Sequence, residues 1–299
     1  MAMKFADVKN DLAFRKIFGS EDKKEVLISF LNAVLGFEGD DRIVDVVLQN
    51  PFLLPAFRGG KVSIIDVRAT DQSKRQFVIE MQVAEQDAFA ERALYYLSKS
   101  YTSQIKRGDD YRKLQPAIFI GILDFSHTAN PHYHSRNLVL DVETGQNTVK
   151  NIEFHFIELP KFKKQLSELV TLTDKWVYFI KNAENIDVIP NDVSDAGLKS
   201  AYEAANRETW TQAEIDAYDY VYMREEDARA VVDLAVRRAE KRGKEEGKAE
   251  GKAEGEAKTK AKAVLGFYEN GVPIAVIAKS LQLTEAEVQT IIVGHQNEE

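Results

Sequence analysis

Residues 62–83 read VSIIDVRATDQSKRQFVIEMQV, and this stretch decides the fold. Apolar and polar residues alternate on both sides of the polar residues 71–74, which is the pattern of two strands joined by a tight turn. The apolar side chains of these strands are odd-numbered and should face a core: Ile65, Val67, Ala69, Phe77, Ile79, Met81 and Val83. The stretch therefore predicts an antiparallel hairpin, with its even-numbered residues on the face opposite the core.

The even-numbered face carries two carboxylates that the turn brings together. A turn at residues 71–74 sets a register in which Asp66 lies opposite Glu80, with Cβ atoms about 5 Å apart. Adjacent carboxylates destabilise a sheet and raise each other's pKa, and a divalent cation between them removes both penalties. Oxygen ligands of this kind suit Mg²⁺. The alternative is an ordinary hairpin with solvated surface acids, and the hairpin by itself is compatible with both.

Composition limits the class of protein. The chain has 299 residues, is 44% hydrophobic and has no cysteine, which excludes disulfides and thiolate zinc sites and fits a reducing compartment. We recognise no secretory signal and no apolar run of the roughly 20 residues that span a bilayer, so we expect a cytoplasmic protein without a membrane partner. The net charge of −8 is not that of an obvious nucleic-acid binder.

The order of helical and strand patterns predicts a mixed α/β fold around one sheet. Apolar residues at helical spacing predict helices before the hairpin and one long helix after it, and β-branched or continuously apolar runs predict the strands. The helices are expected at residues 7–18, 25–35 and 87–106, and the further strands at 42–49, 116–123, 137–142 and 152–159.

The C-terminal part of the chain is predicted to be helical. Residues 239–262 have a glycine at every fourth position among charged residues, and each such glycine costs a helix about 1 kcal/mol relative to alanine. Residues 263–299 have a helix-turn-helix outline, in which Thr284 and Glu287 predict a capping box. The second helix of this outline begins with acids and has no Lys or Arg. An association module is therefore favoured over a domain that reads DNA sequence.

Five separate blocks of the chain carry a further signal: NDLAFRKIFG (10–19), SIIDVRA (63–69), VIEMQV (78–83), RALYYLSKSYTSQIKRGDDY (92–111) and IELPKF (157–162). In this order they resemble the recombination-promoting nucleases, also described as transposases, of the PD-(D/E)xK superfamily. The resemblance implies a restriction-endonuclease-like αβββαβ core with a helical C-terminal extension. It also implies a Mg²⁺-dependent DNA endonuclease associated with recombination or mobile elements.

The resemblance also assigns roles to individual residues. Asp66 and Glu80 would bind Mg²⁺, for which Mn²⁺ could substitute, and the Met81 backbone carbonyl is a further candidate ligand. Gln82 stands where the superfamily usually has Lys and would orient the attacking water, although a neutral amide cannot stabilise charge as Lys does. Asp11 would bind a second metal or orient water.

Other polar and aromatic residues have more than one interpretation. Lys16, Arg92 and Lys99 are candidates for phosphate contact, although each could be an ordinary surface charge. For Tyr95, and for the tryptophans Trp176 and Trp210, packing is favoured over function. The spacing of His127, His132 and His134 could bind a transition metal, but a polar loop between two strands is the favoured interpretation.

The patterns predict four segments and leave three functions open. The segments are a nuclease-like domain (1–182), a helical extension (183–238), a charged linker (239–262) and a helix-turn-helix-like end (263–299). Intact acids favour an endonuclease with DNA as its partner. The alternatives are a catalytically weak DNA-binding or regulatory protein that keeps the fold, and a scaffold that forms homo-oligomers through the C-terminal helical region. A true transposase is disfavoured, because strand joining needs more than this hairpin supplies.

Overall fold

The structure is a computed structural model that describes residues 5–53 and 63–296. Val62, the first residue of the hairpin stretch, lies outside the described residues. The chain divides into two compact units between Arg224 and Glu225. Within the described residues, no helix combines the length and the apolar character needed to cross a membrane.

Helices and strands alternate along the first unit, as the sequence patterns predict. Its helices are α1 (Asp11–Phe18), α2 (Lys24–Leu35), α3 (Phe89–Thr102), α4 (Leu172–Asn182), α5 (Ala196–Ala205) and the start of α6 (Gln212–Glu269). Its strands are β1 (Val46–Gln49), β2 (Phe52–Leu53), β3 (Ser63–Ile64), β4 (Val67–Asp71), β5 (Gln76–Gln82), β6 (Ala117–Leu123), β7 (His134–Val139) and β8 (Val149–Glu158).

Among the described residues, six strands form a mixed sheet in the order β1-β4-β5-β6-β8-β7. The hairpin strands β4 and β5 are antiparallel, whereas β5, β6 and β8 run parallel to one another. Strand β6 is buried along its whole length, as expected for a strand covered on both faces. The mixed α/β class is confirmed.

Two cores cover the two faces of this sheet. One face packs against α1, α2, α4 and α5 and contains the odd-numbered hairpin residues Val67, Ala69, Phe77, Ile79 and Met81. The other face packs against α3, so the face that we expected to lie opposite a single core is itself covered. Ile65 lies in this second core, and its predicted place with the other odd-numbered residues is wrong, because the chain bends between β3 and β4.

The N-terminal segment packs against and hydrogen-bonds to residues that come much later in the chain. Helix α1 packs against α5, and the Ala6 amide donates to the Ala205 carbonyl over 2.9 Å. The Asp7 amide donates to the Tyr218 hydroxyl, also over 2.9 Å. Trp176 and Trp210 are buried, which confirms that both are packing residues.

Several predicted boundaries differ from the observed ones. The strand expected at 42–49 begins only at Val46, because residues 39–41 form a 3-10 turn and both backbone groups of Ile43 bond the Asn32 side chain. The long helix expected at 87–106 covers only Phe89–Thr102. The strand expected at 137–142 is His134–Val139, since its ladder with β8 begins at His134 and becomes irregular after Leu138.

The second unit contains the end of α6 together with α7 (Ile274–Leu281) and α8 (Glu285–Gln296). Its small core is formed by five buried residues: Val264, Ile277, Ala278, Val288 and Ile292. The predicted capping box is confirmed, because the Thr284 amide donates to Glu287 Oε2 over 2.8 Å and the Glu287 amide donates to Thr284 Oγ1 over 3.2 Å. The glycine-spaced residues 239–262 are helical and lie within α6.

Candidate active site

The hairpin register brings Asp66 and Glu80 together. Val67 pairs with Ile79 and Arg68 with Val78, so the next step of the register sets Asp66 opposite Glu80. The Asp66 amide donates to Glu80 Oε1 over 3.3 Å, and the Met81 amide donates to Asp66 Oδ2 over 2.9 Å. The two carboxylates therefore lie side by side where β4 begins and β5 ends.

Burial sets the electrostatics of the pair. Glu80 is only 9% exposed, and the Asp66 side chain is 7% exposed. Burial raises the pKa of Glu80 well above its usual value, and the Asp66 carboxylate raises it further. The hydrogen bond from the Asp66 amide and the cations Arg92 and Arg15 oppose that rise. A pair of acids in this setting attracts a cation.

Arg15 supplies a cation to this pair, and we did not predict that role from the sequence. Its Nε and Nη2 atoms donate to Asp66 Oδ1 over 3.1 and 2.8 Å. Arg15 follows Asp11 by four residues on α1, so the two side chains lie on one face of the helix. The four-residue spacing from Asp11, itself a predicted site residue, was the signal in the sequence that could have identified Arg15 as part of the site.

Asp11 lies on the same side of the site as Arg15. Burial raises the pKa of the Asp11 carboxyl, the Asp66 carboxylate raises it further, and Arg15 lowers it. Asp11 therefore lies within electrostatic range of Asp66. Across residues 5–53 and 63–296, however, no three or more His, Cys, Asp and Glu side chains come close enough together to hold a metal ion.

The end of β5 contacts α3 through Gln82. Arg92 Nη2 donates to Gln82 Oε1 over 2.6 Å, and its Nη1 donates to Gln86. The Gln82 amide nitrogen donates to the Ala84 carbonyl over 3.0 Å. In a strand, the amide and the carbonyl of one residue point to the same edge, so the Met81 carbonyl points to the edge that carries Asp66.

The remaining predicted residues lie around this centre. Lys16 Nζ is 2.5 Å from Glu214 Oε1 and 5.3 Å from the centre of the Trp210 ring. Lys99 Nζ lies 5.1 Å from the centre of the Tyr95 ring. The interpretation of Tyr95 as a core residue is wrong, because it is 41% exposed on the outer side of α3.

The histidines of the HTANPHYH stretch do not lie with the acids. His127 and His132 belong to the segment between β6 and β7, and His134 begins β7. His134 Nε2 lies 2.9 Å from His155 Nδ1, and His155 Nε2 lies 2.6 Å from Glu153 Oε1. Burial and, to a smaller extent, the neighbouring His155 together lower the pKa of His134 to about 4. This group lies at the far edge of the sheet.

The mixed sheet and its flanking helices are consistent with a PD-(D/E)XK nuclease-like fold. The sequence model of the protein family described as PD-(D/E)XK nuclease family transposase matches residues 8–235, which is more than half of the chain. The chain therefore belongs to this family, and the resemblance noted in its sequence is confirmed. No curated protein and no solved structure gives a significant match.

Proposed function

We propose that the chain is a Mg²⁺-dependent DNA endonuclease associated with recombination or mobile elements, in which Asp66 and Glu80 hold the metal. The observation that supports this most is the nearly buried Glu80 carboxylate, hydrogen-bonded to the Asp66 amide beside the Asp66 carboxylate. Family membership supports the nuclease chemistry. Mn²⁺ is expected to substitute for Mg²⁺.

The donor set fits a hard divalent cation. Asp66 and Glu80 offer carboxylate oxygens, and the Met81 carbonyl points to the same edge of β5. Mg²⁺ commonly takes one or two carboxylates and fills its other positions with water and substrate phosphate, so a two-acid site is sufficient. When bound, Mg²⁺ would lower the pKa of the attacking water and neutralise charge on the scissile phosphate.

The side chains around the acids have separate roles in this proposal. Gln82 is neutral and orients water but cannot carry the charge of the usual Lys. Arg92, which donates to Gln82 Oε1, brings a fixed positive charge to that position. Asp11 orients water from the α1 side. Lys16 and Lys99 are proposed to contact phosphate, and Lys16 would have to leave Glu214 to do so.

The order of the elements supports the restriction-endonuclease-like core. We assign its αβββαβ pattern to α1, β1, β4, β5, α3 and β6. We keep residues 1–182 as the nuclease-like domain, 183–238 as its helical extension, 239–262 as a charged linker and 263–299 as a helix-turn-helix-like segment. We further propose that the partner of the protein is DNA, that it forms a homo-oligomer through its C-terminal region, and that it is located in the cytoplasm.

Glu80→Gln tests the proposed chemistry. Supercoiled plasmid is incubated with and without Mg²⁺, and nicking is followed on a gel. We expect wild type to nick only with Mg²⁺ and Glu80→Gln to be at least about 100-fold slower, because the neutral amide holds the metal poorly. Glu143→Gln, in an exposed position, is the matched control and should nick at the wild-type rate. Wild-type nicking by Glu80→Gln would refute the assignment.

A catalytically weak DNA-binding or regulatory protein is the second candidate. The observation that favours it is that the polar atoms of the site already have hydrogen-bond partners within the protein. Asp66 accepts from Arg15 through Oδ1 and from the Met81 amide through Oδ2. The Gln82 side chain accepts from Arg92 and donates to the Ala84 carbonyl. On this candidate, wild type binds DNA in a gel-shift assay but does not nick it with Mg²⁺ or Mn²⁺. Nicking by wild type excludes it.

A further inference from the structure

Arg68 is a charged side chain of the hairpin that has no carboxylate within ion-pair distance among the described residues. It lies in β4, two residues after Asp66, and pairs with Val78 of β5. Val78 packs in the core beneath α3. Cross-strand partners share a face, so Arg68 lies on the α3 side of the sheet, as Glu80 does.

The contacts that Arg68 makes are weak. Its Nη1 atom donates to the Asn50 carbonyl over 3.3 Å, and its Nη2 atom donates to Ser103 Oγ over 3.4 Å. Both distances exceed the usual range of about 2.7–3.2 Å for such bonds. Its Nε atom is buried and has no hydrogen-bond partner in the described part of the chain. The guanidinium therefore has unused donor capacity.

Arg68 differs from several other arginines of the first unit in having no acid beside its guanidinium among the described residues. Each of five arginines has a carboxylate within ion-pair distance: Arg15, Arg75, Arg112, Arg136 and Arg207. A partly buried cation without an anion is costly, so its presence beside the acid pair calls for an anion from outside the chain.

We propose that Arg68 binds a backbone phosphodiester of the nucleic acid, next to the scissile phosphate, which Mg²⁺ held by Asp66 and Glu80 would engage. The planar fork of a guanidinium matches two phosphate oxygens. Two residues of extended chain span at most about 7 Å, so Arg68 and Asp66 can serve neighbouring phosphates of one strand. This inference rests on the proposed function and adds a second phosphate subsite to it.

The test measures DNA binding without cleavage. A fluorescein-labelled DNA duplex is titrated in EDTA at several salt concentrations with wild type, Arg68→Ala and Arg136→Ala. We expect Arg68→Ala to bind several-fold more weakly and to lower the slope of log affinity against log salt by about 0.9, the loss of one phosphate contact. Arg136→Ala removes the same charge from the edge strand β7, three strands away from the hairpin, where Arg136 is paired with Glu153. It should leave the slope unchanged.

Further outcomes separate this inference from the nuclease proposal. Arg68→Lys should keep the wild-type salt slope but bind more weakly, because it keeps the charge and loses the fork. If Arg68→Ala loses a contact while wild type fails to nick plasmid, the phosphate subsite stands and the nuclease function falls. If wild type nicks plasmid and the slopes of Arg68→Ala and Arg136→Ala are equal, the subsite is overturned.

A thermal measurement excludes misfolding as the explanation. Arg68→Ala removes an unpaired, partly buried cation, so we expect its melting temperature to equal or exceed that of wild type. Inorganic phosphate should raise the melting temperature of wild type but not that of Arg68→Ala, because a ligand that binds the folded state stabilises it. An equal rise in both proteins would overturn the proposal.

Discussion

Asp66 and Arg15 form the ion pair on which the candidate site is arranged. Arg15 Nη2 lies 2.8 Å from Asp66 Oδ1, and the guanidinium is 47% exposed whereas the Asp66 side chain is 7% exposed. Arg15 therefore balances part of the charge that Asp66 and Glu80 bring together. A metal ion placed between the acids would compete with it for Asp66.

Arg15→Gln should expose that competition. Without its counter-charge the acid pair is more repulsive, so in EDTA we expect the free energy of unfolding to fall by roughly 1–2 kcal/mol, since the partly exposed pair is screened by water. Mg²⁺ should then stabilise Arg15→Gln more than wild type. Urea denaturation with EDTA or Mg²⁺ measures both effects.

Arg112→Gln is the control for Arg15→Gln. Arg112 forms an exposed ion pair with Asp110, so its loss should change neither the stability in EDTA nor the response to Mg²⁺. Equal stabilisation of Arg15→Gln and Arg112→Gln by Mg²⁺ would show that Arg15 does not compete with the metal.

Glu80 makes a second prediction at the residue scale. Its pKa is raised in the folded protein above the usual value of 4.5, so its contribution to stability is fully present below pH 4.5 and is lost as pH rises through the raised pKa. A buried amide has no such titration. The stability advantage of Glu80→Gln over wild type in EDTA should therefore grow with pH. Thermal melts from pH 5 to pH 8 test this, and a constant difference would contradict it.

At the element scale, periodicity was sufficient to predict the hairpin. Alternation located β4 and β5, and the polar turn at residues 71–74 indicated the register that sets Asp66 opposite Glu80, whereas a slip of one residue would have separated the pair. Alternation could not show that α3 covers the second face of the sheet, because the even-numbered residues of this face include polar side chains such as Glu80 as well as the apolar Val78. Only the four-residue spacing of Arg15 from Asp11 pointed to the site, because the contact of Arg15 with Asp66 joins residues 51 positions apart.

Helix α3 approaches the sheet closely at Gly121, which lies opposite Glu80 on β6. A Cβ atom there would lie 3.1 Å from Phe119 Cε1, 3.2 Å from Phe156 Cδ1 and 3.4 Å from Phe89 Cζ. The missing side chain therefore lets the aromatic rings beneath the start of α3 pack against the sheet. Arg92 is on the same helix, so this packing also sets its position near Gln82.

Gly121→Ala should overpack this contact. We expect a loss of about 1–3 kcal/mol in the free energy of unfolding, because the Phe119 and Phe156 rings must shift. Gly247→Ala is the contrasting control: a Cβ atom there meets no neighbour in the described chain, and alanine favours a helix by about 1 kcal/mol. Urea denaturation compares the two. A Gly121→Ala protein as stable as wild type would show that the rings are not tightly packed.

At the scale of the whole molecule, the two compact units divide at 224/225 and the family match ends at residue 235. The first unit has two large cores of its own, and the second has a small one. Composition marked the glycine-spaced residues 239–262 as a charged helical linker. It did not reveal that α6 runs from Gln212 to Glu269, because each glycine weakens the local helical signal.

Truncation after Val236 tests the role of the C-terminal region. The first unit keeps its cores, so we expect residues 1–236 to unfold cooperatively. If the C-terminal helices mediate self-association, the full chain is larger than a monomer by light scattering and the truncated chain is a monomer. If light scattering gives the same number of chains per particle for both proteins, self-association through this region is excluded.

The packing of α1 against α5 has a consequence for protein synthesis. The ribosome releases Asp11 and Arg15 early, but α1 gains its α5 neighbour only after residues 196–205 have been translated. Until then the growing polypeptide can form the local hairpin, but α1, the helix that carries Arg15, lacks one of its packing partners. The complete contact between α1 and α5 therefore forms late in translation, and a partly made chain would carry Asp66 and Glu80 before the helix of Arg15 is fully packed.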